Sequence, residues 1–324
     1  MFKGSREYMK ERYLKPQVSI VICTYLRADM VGQTLRSLKQ LKGIDQAEVI
    51  VVDNNSSDHT AEVVAEAIEQ LKGAVFIRYV FEPQQGLSVA RNTGVEVSKG
   101  EIIAFLDDDA TPAVGWLSSI SEAFVQYPEA GAIGGIIEPD FETTRPEWLV
   151  KELELPYGII DMGQQVRQYP RRLHPFGGNC AVRKEIVSEL QFPEWLGRNG
   201  GQSLLSGEET WLFNQMRRNG QKLYYIPGMK IKHFTPASRL SPEWIKLRYY
   251  YQGISNALEG KGLQALLRLI AGLALRRVYI ACSSLFADSP GKQLLKECRL
   301  ASIRGSVETL RDRRSRPIQE KIDG

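Results

Sequence analysis

An α/β protein with a mostly parallel central sheet is the fold that this 324-residue sequence predicts. Three observations carry the prediction. Short apolar runs alternate with helical spacings through the first half of the chain, the pattern of βαβ units. Polar side chains gather just behind the apolar runs, at the strand ends where open α/β sheets bind ligands. Most pointedly, Asp107, Asp108 and Asp109 follow directly on the run Glu101–Leu106.

The elements follow in order. Val18–Cys23 reads as a buried strand, with Cys23 as a small buried hydrophobe. Met30, Leu35, Leu38 and Leu41 space a helix over Met30–Leu41, and Glu48–Val52 is a second strand ending at Asp53. Thr60–Leu71 is a helix with Ala61, Val64, Ala65, Ile68 and Leu71 on one stripe, capped by Ser57 or Asp58. Val75–Phe81, Ser88–Val97 and Glu101–Leu106 supply strand, helix and strand; Trp116–Tyr127 is a helix and Ala130–Ile137 a strand. Beyond Glu138 prolines punctuate loops, after which come the strand Cys180–Val182, the helix Glu208–Arg217 and short strands at Lys222–Pro227 and Met229–His233. Helices over Glu243–Leu258, Leu263–Phe286 and Gln293–Leu310 close the chain. The expected layout is an N-terminal extension (1–16), an α/β domain (17–241) and a C-terminal helical region with a basic tail (242–324).

Composition bounds the function. A hydrophobic content of 43% allows a substantial core, and ordinary Gly and Pro contents point to neither a disordered nor a fibrous protein. The formal charge of +4 is uneven, because Lys261–Gly324 holds 13 Lys/Arg and 6 Asp/Glu. Basic segments attract anionic partners. No aromatic–basic interleaving accompanies this charge, which argues against nucleic acid. Leu263–Phe286 either lies in a membrane interface or packs on the α/β domain with its arginine heads in water. Cys23, Cys180, Cys282 and Cys298 form no Cys-x-x-Cys pair, which fits a reduced, cytosolic setting. The charged Met1–Lys15 lacks the apolar core of a signal peptide, and no stretch of about 18 apolar residues announces a transmembrane helix. The expected location is the cytoplasm, or the inner membrane face as a peripheral protein should Leu263–Phe286 lie in the interface rather than pack on the domain.

The aspartate triplet carries the chemistry. Three like charges at one sheet edge repel unless a cation holds them, and Mg²⁺ takes one or two carboxylates together with substrate phosphates. The triplet is therefore a metal–diphosphate site, or else a solvated acidic turn with Thr111–Pro112 starting the next helix. Thr24 and Tyr25, behind the first strand, can line a nucleotide pocket, and Asp53 can accept from a base N–H or a ribose hydroxyl. Gly86–Asn92 puts a flexible turn before a helix. There Arg91 either meets a diphosphate or pairs with an aspartate of the triplet. The glycines of His174–Asn179 let backbone approach a ligand closely, with Asn179 a candidate for sugar hydroxyls. Glu208 and Glu209 open a helix, and adjacent carboxylates can raise one pKa. Trp148, Trp195 and Trp211 are candidates for acceptor stacking or for core packing.

Six stretches in this order and spacing resemble the family 2 glycosyltransferases with the GT-A fold. They are Val18–Tyr25, Val51–Asp58, Gly86–Asn92, Phe105–Asp109, Gly177–Asn179 and Gly207–Glu209, with His233 after a strand. The resemblance spans residues 17 to 235, about two-thirds of the chain. It implies transfer of a sugar from a nucleotide diphosphate sugar, with inversion, to a glycan, polysaccharide or lipid-linked acceptor. Asp107 and Asp109 match the Asp-x-Asp motif, which implies Mg²⁺ or Mn²⁺ on Asp109, with Asp107 reaching ribose or metal, and a metal or phosphate contact for His233. Asp108 is the middle residue, and Asn54 stands where many relatives carry a second acid. Glu209 matches the position that relatives fill with an aspartate base; Glu208 is the alternative base. A UDP-sugar is the expected donor. A sugar nucleotidyltransferase and an inactive nucleotide-sugar-binding GT-A protein are the competing readings. The first lacks its Gly-rich loop at Cys23–Arg27, and intact Asp107, Asp109 and Glu209 argue against the second.

Overall fold

The computed structural model describes residues 17–200, 204–259 and 289–315. In chain order the first unit holds Val18–Thr24 (β1), Ala28–Ser37 (α1), Ala47–Asp53 (β2), Thr60–Gln70 (α2), Phe76–Phe81 (β3) and Leu87–Val97 (α3). Ile102–Leu106 (β4), Ala110–Pro112 (β5), Trp116–Gln126 (α4), Ala130–Gly134 (β6) and Ile137–Phe141 (β7) come next. Arg167–Gln168 (β8), Asn179–Arg183 (β9), Lys184–Leu190 (α5), Glu208–Arg218 (α6), Lys222–Tyr225 (β10) and Ile231–Thr235 (β11) follow.

Among the described residues, eight strands form one sheet in the order β3-β2-β1-β4-β9-β6-β10-β8. β1 runs parallel to β2 and β4, while β9 is inserted antiparallel between β4 and β6. The strands are apolar on both faces because both faces are covered. Ile20, Ile22, Val49 and Val51 point to a layer with Val31 and Leu35 of α1, Val64 of α2 and Trp116 and Ile120 of α4. Their neighbours Val21, Ile50, Val52, Ile103 and Phe105 point the other way, to Ala90 of α3, Val187 of α5 and Leu212, Phe213 and Met216 of α6. The result is an α/β/α sandwich.

Register brings the polar strand ends together. Thr24 pairs with Asp53, and Leu106 with Asn179, so the aspartate triplet emerges beside the turn that precedes β9.

Several sequence expectations change. Ala130–Ile137 is not one strand: β6 stays in the large sheet, while β7 joins a second sheet ordered β5-β11-β7. The chain turns at Gly135, where a Cβ would lie 1.9 Å from the Met229 carbonyl oxygen, so only glycine fits. Thr111–Pro112 does not start a helix but belongs to β5, paired with β11; the helix begins at Trp116. α1 ends at Ser37 and continues as a 3₁₀ turn, Leu38–Gln40. Cys23 is half-buried, since it lies at the open end of β1. Asp58 serves α2 by accepting from the Thr60 amide (3.1 Å).

Among the described residues, a second compact unit comprises 141–157, 204–207, 235–259 and 289–315. Its helices Pro242–Glu259 (α7) and Pro290–Ser315 (α8) pack through small residues. A Cβ on Gly253 would lie 1.9 Å from the Ser302 carbonyl oxygen, and one on Gly305 2.2 Å from that of Tyr250. Leu263–Phe286, expected as a helix, lies outside the described residues. Among the described residues no helix is long and apolar enough to cross a membrane.

Candidate active site

Two acidic clusters meet at the C-terminal edge of the large sheet. The first grows from the end of β4. Asp107 and Asp109 project on one side, as alternate residues of an extended turn do, and meet His233 of β11. His233 Nε2 lies 3.1 Å from Asp109 Oδ1 and 3.5 Å from Asp107 Oδ2. Burial disfavours its protonated form, yet the two carboxylates outweigh burial and raise its pKa. Burial likewise pushes Asp109 up, but His233 and Arg27 hold it well below the usual carboxylate range.

Arg27, at the start of α1, was not singled out by the sequence. Its guanidinium spans the triplet, with Nη1 2.6 Å from Asp108 Oδ1 and Nη2 2.6 Å from Asp109 Oδ2. Asp108 also accepts from Thr24 Oγ1 at 2.8 Å. The Asp108 and Thr24 side chains are both buried and hold each other. The only sequence signal for Arg27 was an unpaired cation placed shortly after a strand that neighbours the triplet.

The second cluster forms at the first turn of α6. Arg91 of α3, expected at a diphosphate or at the triplet, pairs not with the triplet but with the two glutamates of α6. Its Nη1 lies 2.8 Å from Glu208 Oε1 and 3.4 Å from Glu209 Oε2. The Phe192 and Phe105 rings cover it at 5.2 and 6.0 Å. Asn92 fixes Phe192 by exchanging hydrogen bonds of 2.8 and 2.9 Å with its backbone. One buried cation therefore serves two carboxylates. Burial and the adjacent Glu208 carboxylate push Glu209 above the ordinary glutamate range, despite Arg91. Burial raises Glu208 too, but Arg91 overrides it and the net displacement is downward.

The Gly177–Gly178 turn separates the clusters. A Cβ on Gly178 would lie 2.1 Å from Asp107 Oδ2, and one on Gly177 2.5 Å from Glu209 Oε2. The Asp107 amide donates to the Gly178 carbonyl (3.3 Å), and the Gly177 amide to Glu209 Oε1 (3.3 Å). Glycine here lets one turn touch both clusters, so the acids stand on either side of a single backbone strip.

Other candidates take structural positions. Asn179 is fully buried; its Oδ1 accepts from Trp116 Nε1 (2.8 Å), and its Nδ2 donates to the Ile136 and Met229 carbonyls (3.0 Å each). Both N–H donors of that amide are spent on backbone carbonyls, and the side chain is fully buried. Asn54 pins the loop before α3, donating to the Gln84 carbonyl (2.6 Å) and accepting from the Gly86 amide (2.8 Å). Asp53 accepts from Tyr79 Oη (2.7 Å) and the Ser56 amide (3.0 Å). Tyr25, the other nucleotide candidate behind β1, is half-buried. Trp195 is exposed, Trp211 packs on the second core layer, and Trp148 belongs to the second unit.

Fold and paired acids define a GT-A protein. The sequence model of glycosyl transferase family 2 matches residues 19–191, more than half of the chain. The chain belongs to that family and is a glycosyltransferase. It is 24% identical over 243 residues to the glucosyl-dolichyl phosphate glucuronosyltransferase of Haloferax volcanii, covering 74% of this chain and 76% of the relative. It is 27% identical over 240 residues to the succinoglycan biosynthesis protein ExoM of Rhizobium meliloti, covering 73% and 72%. Among solved structures it resembles the Pyrobaculum calidifontis mannosyltransferase PcManGT in complex with GDP-Man and Mn²⁺. There the TM-score is 0.61 at 18% identity, over 96% of each chain.

Proposed function

We propose that the protein is a divalent-metal-dependent, inverting glycosyltransferase using a nucleotide diphosphate sugar, in first place a UDP-sugar. What carries the reading is the Gly177–Gly178 turn, with Asp107 on one side and Glu209 on the other. The residues fit a metal on their own chemistry. Asp107, Asp109 and His233 offer ligand atoms within 4.8 Å of one another, with Asp109 Oδ1 facing the His233 imidazole at 3.1 Å. Two carboxylates with an imidazole suit Mn²⁺ better than Mg²⁺, which prefers oxygen throughout. When bound there, the dication would neutralise charge developing on the departing diphosphate.

The chain's own residues supply the rest. Glu209 accepts the proton of the acceptor hydroxyl as its oxygen bonds to the anomeric carbon. The carbon–phosphate-oxygen bond breaks on the opposite face, and its electron pair leaves with the nucleoside diphosphate. The upward pKa displacement of Glu209 makes it a stronger base than a solvated carboxylate. Arg91 keeps Glu208 ionised and in place, and so acts through the pair. Arg27 holds Asp109 by one oxygen and leaves the other turned toward His233. Tyr25 and the Asp53 strand tip support a role in nucleotide contact. The acceptor is a glycan, a polysaccharide or a lipid-linked sugar, the classes among which the relatives' names fall.

The deciding experiment incubates the full chain with UDP-glucose, UDP-glucuronic acid or GDP-mannose, with Mn²⁺, Mg²⁺ or EDTA. Nucleoside diphosphate release that requires the dication is the expected result. Release undiminished in EDTA would remove the metal from the mechanism, and preference for GDP-mannose would replace the uridine assignment.

A further inference from the structure

The segment entering the Gly177–Gly178 turn is strapped along α6 from end to end. In the last turn of α6, Arg217 donates to the carbonyls of Pro170 (3.0 Å), Arg171 (2.9 Å) and Leu173 (2.5 Å). At the opposite end, His174 Nε2 lies 2.9 Å from Thr210 Oγ1, in the first turn of α6 and next to Glu209. The His174 ring stacks on Phe213 at 5.5 Å, and its Nδ1 lies 2.8 Å from the Pro175 carbonyl. A carbonyl oxygen only accepts, so Nδ1 carries the hydrogen and Nε2 is left as an acceptor for the Thr210 hydroxyl. Burial favours the neutral imidazole that this arrangement requires. Three residues on, the Gly177 amide reaches Glu209.

We propose that His174 and Thr210 are positioning residues: their hydrogen bond fixes the Gly177–Gly178 turn, and thereby the separation of Glu209 from Asp107. This rests on the reading of Glu209 as the base. Neither residue touches the reacting atoms. Each acts through the turn, and a shift of about 1 Å in a reacting geometry can cost about 100-fold in rate.

The test compares Thr210→Val, which keeps shape and removes the hydroxyl, with Thr210→Ser, which keeps the hydroxyl. With UDP-glucose or GDP-mannose and Mn²⁺, whichever is turned over, Thr210→Val should lower kcat about 10- to 100-fold with the donor KM nearly unchanged. Thr210→Ser should restore most of the rate. Equal impairment of both variants, or no effect of either, would overturn the proposal. Two readouts need no turnover. The chain has 3 histidines, so ¹⁵N shifts can identify the His174 tautomer; a proton on Nε2 would refute the assignment. Amide exchange at Gly177–Asn179 should quicken in Thr210→Val and not in Thr210→Ser. Glu209→Gln separates the two readings: if it remains active, the base assignment falls, while the exchange and tautomer results still judge the strap.

Discussion

The two acidic clusters flanking Gly177–Gly178 are built from similar residues and balanced in opposite ways. At the end of β4, three carboxylates share Arg27 and His233, and Asp107 keeps 31% of its side chain exposed. At the start of α6, two carboxylates share Arg91 in a pocket roofed by phenylalanine rings, and Glu209 is only 14% exposed. The first cluster is open at Asp107, which keeps a carboxylate within reach of solvent beside the buried Asp109–His233 pair. The second is closed, and one cation cannot serve both acids equally. An open acidic edge suits an added cation; a crowded, buried pair suits the uptake of a proton.

The sharpest break of this comparison is the loss of one acid from each side. Glu209→Gln should lower transfer about 10²- to 10⁴-fold, the range for a general base, with donor affinity retained. Asp109→Asn should instead lose Mn²⁺-dependent nucleotide binding, read by calorimetry. Full transfer by Glu209→Gln would move the base to Glu208, and unchanged binding by Asp109→Asn would dissolve the metal site. Arg91→Met should act on folding, because it strands Glu208 in an apolar pocket. Breaking a buried pair from one side costs about 3–5 kcal/mol, measurable as a lower urea midpoint. A midpoint equal to wild type would mean that the glutamates escape to water. Arg27→Gln should weaken Mn²⁺ binding by about 10- to 100-fold, as loss of a ligand's outer partner does. A tighter site would show that Arg27 competes with the ion rather than orienting Asp109.

These contrasts also show what was legible in the sequence. The alternation of strands and helices and the gathering of polar strand ends at one sheet edge could be read, because apolar runs such as Val49–Val52 report burial and polar residues mark the strand ends. The antiparallel place of β9 could not be read. The triplet was visible because charge beside an apolar run is costly unless it is used. Glu208–Glu209 stood out instead as adjacent acids opening a helix at the position where the family resemblance puts a base. What escaped was the partnering. Nothing in the spacing says that Arg91 turns to α6 rather than to β4, because both lie at the end of α3 only in three dimensions. Asn179 and Asn54 carry the residue type of a ligand contact, yet they are spent on backbone groups that irregular chain leaves unpaired, at Ile136 and Met229 and before α3. A buried amide is equally suited to either task, and only its neighbours decide. The single strand read over Ala130–Ile137 failed because its break depends on the distant Met229 carbonyl.

The smallest effect, and the one most specific to the closed cluster, concerns pH. Glu209 accepts a proton only when ionised, and burial with the Glu208 carboxylate displaces its pKa upward. Activity should therefore rise with pH along a limb lying above the usual glutamate range. A limb at the pKa of a solvated carboxylate would mean that bound donor opens the pocket to water. The same displacement has a linked effect on stability, with the sign reversed. Between the unfolded and the raised pKa the native state binds more protons than the unfolded chain, so stability declines as pH increases through that window. Glu209→Gln removes this contribution and should flatten that part of the profile. The open cluster does not share this behaviour: Asp109 is displaced downward, and its stabilising contribution is present at neutral pH and lost only in acid. Comparing urea midpoints of wild type, Glu209→Gln and Asp109→Asn across pH would then assign each slope to its own side of the glycine turn.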